Sequence, residues 1–126
     1  VERHLARVAD RLPATPADLK PSSDVSDAVV LHLWQAVQVV LDLAFSACVR
    51  LRLPTPANYG DAFRALAHEG VIDDALADRL VRAAGFRNAV AHQYQDLDMT
   101  MVHEAARNGP ADLRAFLAAM ACMPTK

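Results

Sequence analysis

Apolar positions recur at helical spacing along nearly the whole chain, and nowhere do they alternate residue by residue as a half-buried strand requires. Leu5, Val8, Ala9 and Leu12 share one side of a short helix over 2–12, with Glu2, Arg3, Arg7, Asp10 and Arg11 opposite. Pro13, Pro16 and Pro21, with Ser22 and Ser23, make 13–23 a connector, because proline removes backbone donors and biases the preceding residue away from helix. Asp24, with Asp27 three residues on, predicts the capped start of a long helix that is apolar on nearly every side from Ala28 to Val49 and ends before Pro54. After a loop over 54–60, Asn58 and Asp61 supply a cap and a third-position acid for a short helix carrying Phe63, Leu66 and Ala67 and closing near Gly70. Asp73 caps the next helix, whose stripe is Leu76, Leu80, Val81, Ala84 and Val90. Asp98 caps the last, through Met99, Val102, Ala105 and Ala106, and Asn108-Gly109-Pro110 is expected to break or kink it before the stripe of Leu113, Phe116, Leu117 and Met120. Residues 124–126 are expected to fray.

The expectation is an all-α fold, an antiparallel bundle of about five helices in a single domain over 1–126, with residues 1–23 as N-terminal helix and connector. A length of 126 residues with 53% hydrophobic content suits one core of ordinary size. The 28–49 stretch is long enough to cross a bilayer, but His32, Gln35, Gln38 and Asp42 in its interior make insertion costly. A central bundle helix is the better reading, with part of its surface meeting another chain. His32 is read as structural, His103 as structural or exposed, and Arg79 and Arg82 as a solvated face paired with Asp73, Asp74 and Asp78.

Net charge is −2, so the chain lacks the strong positive field of a non-specific nucleic-acid binder, and any RNA contact must be local. Cys48 and Cys122 lie in apolar helical contexts without ligand spacing and are expected as buried reduced thiols, which gives a cytoplasmic address. The start at Val1 carries no secretory leader pattern. No Walker loop or metal signature is present, and neither a metal nor a cofactor is expected.

Candidate chemistry concentrates in Arg87-Asn88-Ala89-Val90-Ala91-His92-Gln93-Tyr94: a fixed cation, an orienting amide, a group that titrates near neutral pH and a phenol. On an ideal helix Asn88 and His92 share one face, while Arg87, Ala91 and Tyr94 form an adjacent stripe. Arg87 and His92 diverge by about 140° around the axis and roughly 7.5 Å along it. They can serve one phosphate only if the arginine bends round or a second copy of the helix contributes, which predicts a homodimer with a composite site. Gln35, Gln38 and Asp42 run down one side of the long helix and can face this motif.

The Arg-Asn-x-x-x-His-x-Tyr pattern resembles the R-x4-H-x-Y signature of the HepT family within the HEPN superfamily of helical nucleotide-binding and ribonuclease domains. The resemblance covers roughly residues 24 to 120: Leu33 through Asp42 to Cys48, Asn58-Tyr59-Gly60-Asp61-Ala62-Phe63, Leu66-Ala67 with Gly70-Val71-Ile72-Asp73, and Gly85-Phe86-Arg87-Asn88. Asp42 matches an acidic position of the family, whereas Gln38 stands where relatives often carry Glu. In such relatives the last helix tends to run on, so the Asn108-Gly109-Pro110 break is a departure.

The resemblance implies a metal-independent endoribonuclease, the toxin of a toxin–antitoxin pair, acting on RNA. His92 would take the ribose 2′-hydroxyl proton, Arg87 would stabilise the charge that develops on phosphorus, and Asn88 would orient either group. Gln38 and Asp42 would support them. Tyr94 would be the residue that a cognate nucleotidyltransferase antitoxin modifies with AMP. A second class of function is a non-catalytic HEPN subunit that binds nucleotide or substrate for a partner nucleotidyltransferase.

Overall fold

The structure is a computed structural model that describes residues 2–14, 19, 24–93 and 98–123. Among the described residues are five helices and no strand: α1 (Glu2–Arg11), α2 (Asp24–Arg50), α3 (Tyr59–His68), α4 (Asp74–Gln93) and α5 (Met99–Ala121).

The apolar content of α2 is accommodated by enclosure. This helix packs against all four others, and Val29, Val30, Leu33, Ala36, Val37, Val40, Leu41 and Ala44 are buried among them. By length and composition alone it is also the one described helix that could cross a membrane. Its burial on several sides is what a core helix needs, since each buried Val or Leu contributes about 1.5–3 kcal/mol. Asp24 lies inside the first turn rather than before it, where with Asp27 it still complements the helix dipole. At the other end Arg52 takes φ 57°, and Leu53 N–H reaches back to the Cys48 carbonyl at 3.0 Å, so a left-handed residue closes α2 just ahead of Pro54.

Local start signals act as the sequence predicts. Asn58 Oδ1 accepts from Asp61 N–H at 2.8 Å, Asp73 Oδ1 from Leu76 N–H at 2.7 Å, and Asp98 Oδ1 from Thr100 N–H at 2.9 Å. Gly70 closes α3 at φ 78°, a conformation glycine adopts without a Cβ clash. The edge-to-face pair Phe63–Phe116, with centroids 5.6 Å apart, ties α3 to α5 in the core.

The last helix departs from expectation. α5 runs unbroken from Met99 to Ala121 with Pro110 inside it. Proline removes the N–H that would bond Ala106, yet buried Val102, Ala106, Leu113 and Phe116 stay in phase across it, so packing on α2 and α4 holds the helix on course.

Two side-chain expectations are corrected and one is settled. Arg79 pairs with Asp112 of α5 at 2.7 Å, and Asp78 with Arg64 of α3 at 3.2 Å, so these charges bridge helices rather than pair along α4. Cys48 is buried as expected, with burial raising its thiol pKa, but Cys122, the C-cap of α5, is exposed. His103 is buried and structural, its Nε2 bonded to the Pro13 carbonyl at 2.7 Å.

Candidate active site

The site grows from α2 and α4 where they pack side by side. On α2, Trp34, Gln38 and Asp42 follow one another at four-residue steps and so project along one flank. On α4, Arg87 falls on the side that meets this flank and is half-buried, while Asn88 is exposed.

A directional chain of hydrogen bonds joins the two helices. Gln38 Nε2 donates to Asp42 Oδ1 at 3.0 Å, and Arg87 Nε donates to Gln38 Oε1 at 3.0 Å. Because a carboxylate only accepts and a guanidinium only donates, both bonds form with one orientation of the Gln38 amide. Asp42 thereby fixes Gln38, and Gln38 fixes Arg87. Tyr59 Oη lies 3.4 Å from Gln38 Nε2, and Arg87 Nη1 donates to Asn88 Oδ1 at 3.3 Å.

Two aromatic rings bracket the cation. The guanidinium carbon is 6.0 Å from the Trp34 ring centroid and 5.9 Å from that of Tyr59, close enough for cation–π attraction of about 0.5–1 kcal/mol each at a partly exposed site. Phe45 in turn holds Tyr59 edge-on at 5.0 Å. Two of the five N–H donors of Arg87 are used on Gln38 and Asn88, which leaves part of a planar fork for a phosphate.

Of the residues singled out in the sequence, Arg87, Asn88, Gln38 and Asp42 come together. His92 does not join this network. It stands exposed in the last turn of α4, displaced from Arg87 around the helix as the spacing requires. Tyr94 lies outside the described residues. Trp34 and Tyr59 were missed, because no spacing along the chain signals a ring that meets an arginine only through tertiary packing. Among the described residues no group of three or more His, Cys, Asp or Glu side chains could hold a metal ion.

Beside this network, between Phe45 of α2, the start of α3 and α4, lies a hollow of about 460 Å³ that includes Tyr59 and Asn88. A second hollow of about 530 Å³ sits elsewhere, between α2, α4 and α5, and holds none of the clustered polar groups.

An all-α bundle with an arginine braced in this way defines a class, and solved structures supply its name. The chain superposes on a tri-AMPylated HEPN toxin of Shewanella oneidensis in complex with an MNT antitoxin, with a TM-score of 0.85 and 24% identity over 97% of this chain and 91% of that one. A toxin–antitoxin structure with AMP-PNP is similar, with a TM-score of 0.84 and 21% identity over 97% and 91%. The fold is therefore that of HEPN toxins. The mRNA nuclease HepT of Shewanella oneidensis is 27% identical over 101 residues, 80% of this chain and 76% of that protein. A family model described as ribonuclease HepT-like matches residues 1–120, and the chain belongs to that ribonuclease family.

Proposed function

We propose that this chain is a metal-independent endoribonuclease, the toxin of a toxin–antitoxin pair, with Arg87, Asn88 and His92 as its catalytic set. The observation that carries the reading is the fixed guanidinium: Arg87 is held by Gln38 and bracketed by Trp34 and Tyr59, yet keeps donors for an anion. A planar cation positioned before substrate arrives is what charge developing on a phosphorane needs. His92 removes the 2′-hydroxyl proton, the freed oxygen attacks the adjacent phosphorus, and the 5′-oxygen leaves, giving a 2′,3′-cyclic phosphate and a 5′-hydroxyl. Asn88, one turn before His92, orients the phosphate or the imidazole.

The divergence of Arg87 and His92 on α4 is resolved by a homodimer in which each cleft takes residues from two motifs. Support comes from α2, whose outer side exposes Leu31 at 52%, Val39 at 41% and Val49 at 74%. By analogy with the antitoxin-bound HEPN toxin, the partner is a nucleotidyltransferase that adenylylates Tyr94 and so blocks the cleft. RNA as substrate and two free thiols both fit a cytoplasmic address.

The test is cleavage of a defined RNA by purified protein with and without EDTA. Cutting that survives EDTA, yields cyclic-phosphate ends and disappears in His92→Ala is the expected result. Cutting abolished by EDTA, or retained in His92→Ala, overturns the mechanism.

A further inference from the structure

The hollow beside Arg87 has a composition that the chemistry above leaves unused. Among the described residues its walls carry no charged side chain: Phe45, Tyr59 and Val81 supply apolar surface, Gly85 leaves one side open, and Asn58 and Asn88 bring side-chain amides. Asn58 Oδ1 is occupied as the cap of α3, so its Nδ2 is the group available to a ligand. Asn88 accepts from Arg87 through Oδ1, which likewise leaves its Nδ2. Without a fixed cation of its own, this space suits a neutral planar group better than a phosphate. At about 460 Å³ it has room for a base and its ribose. Tyr59 and Asn88 belong both to this hollow and to the surroundings of Arg87, so a phosphate on the guanidinium would set an adjoining base at its mouth.

We infer that the hollow between Phe45, Tyr59 and α4 is a nucleobase subsite that seats one base flanking the scissile phosphate, with the Asn58 and Asn88 amides reading its edge. The inference rests on the ribonuclease reading. Aromatic contact supplies affinity for any base, and the two amide donors supply preference, because an unmatched donor–acceptor pair leaves a desolvated polar group. Asn58 is thus a specificity residue that does not touch the reacting atoms.

Two variants isolate the subsite. Val81→Phe fills it from the α4 side. Asn58→Asp keeps the helix cap, since aspartate caps as well as asparagine, but replaces the donor by an acceptor. Cleavage sites are mapped on an RNA pool, and rates are compared on one preferred oligonucleotide carrying either the base or an abasic residue at the flanking position. The wild type is expected to lose about tenfold in kcat/KM on removal of that base, near the low end of what one stacked base contributes. Val81→Phe should lose little further, and Asn58→Asp should change which base is preferred. Binding is read separately, in His92→Ala, by quenching of 2-aminopurine placed at the same position, and Val81→Phe should abolish the quenching in that background. Cleavage with no base preference, or a preference unchanged in both variants, overturns the subsite while leaving the ribonuclease standing. Quenching that is lost in Val81→Phe without any cleavage by the wild type keeps the subsite and overturns the catalysis. Neither cleavage nor quenching overturns both.

Discussion

Arg87 Nε and Gln38 Oε1 meet at 3.0 Å although 49 positions separate them along the chain, and this bond decides where the guanidinium points. Gln38 is itself held by Asp42, so an exposed carboxylate on α2 acts on the guanidinium through a neutral amide. A glutamate at position 38 would pair more strongly with Arg87, but it would also place two carboxylates together and neutralise much of the charge offered to RNA.

Replacement of Arg87 should separate charge from shape. Arg87→Ala is expected to lower kcat on RNA by about 10²–10³-fold, the usual cost of removing one donor to a developing oxyanion. Arg87→Lys should recover little, since an ammonium cannot bond Gln38 edgewise and keep a planar fork for phosphate. Circular dichroism of both variants should stay helical. Full activity in the lysine variant would show that charge alone suffices.

Gln38→Ala and Asp42→Ala test the brace. A supporting partner of this kind is worth roughly 10–100-fold where it orients a functional group. Gln38→Ala should therefore cost about tenfold in kcat, and Asp42→Ala less, because Tyr59 still limits the amide. Equal and large losses in KM with kcat unchanged would assign the pair to binding instead.

The contact between α1 and α2 should weaken in acid. His4 Nδ1 and His32 Nδ1 are 2.9 Å apart, a bond that requires at least one neutral ring. Burial first, then the His32, N-terminal and Arg3 charges, lower the His4 pKa from 6.5. The unfolded chain therefore takes up a proton before the folded one does, and stability is lost as pH falls through and below about 6.5. Thermal melting between pH 8 and 5 should show this decline, and it should flatten in the double variant His4→Gln, His32→Gln.

Assembly through α2 predicts that one charge on its outer side is disruptive. Val39→Glu should turn a dimer into a monomer in light scattering at micromolar concentration, without loss of helix, and should lower RNA cleavage with it. A monomeric active wild type would remove the composite cleft.

Control by the partner predicts that a cognate nucleotidyltransferase with ATP raises the mass of the chain by AMP units and silences it. Tyr94→Phe keeps the ring but lacks the acceptor oxygen, so it should stay active and unmodified. Equal incorporation in both proteins would place the modification on another residue.

Much of this architecture is legible in sequence because it is local. Asn58, Asp73 and Asp98 announce helix starts through contacts two or three residues away, and Gly70 announces an end. Gln38 and Asp42 are readable as neighbours of the motif because four-residue spacing puts them on one flank. Trp34 and Tyr59 are not, since which ring stands against a cation depends on how α2 and α3 pack. The Arg79–Asp112 pair fails for the same reason, and Pro110 misleads because a local helix penalty is outweighed by core contacts on both sides of it.

α2 has a consequence for how the molecule can change over time. Its inner residues wall the core, and its exposed face carries Gln38 and Asp42 together with Leu31 and Val49, which fall within about 20° of them around the helix. An ordinary surface helix keeps a neutral face on which substitutions accumulate freely. On the proposed reading this one has little to offer, so drift passes mainly through α1, α3 and the outer side of α5. On that reading, a change on the exposed face of α2 touches catalysis and assembly together while one on the inner face touches folding, so the three cannot be tuned independently there.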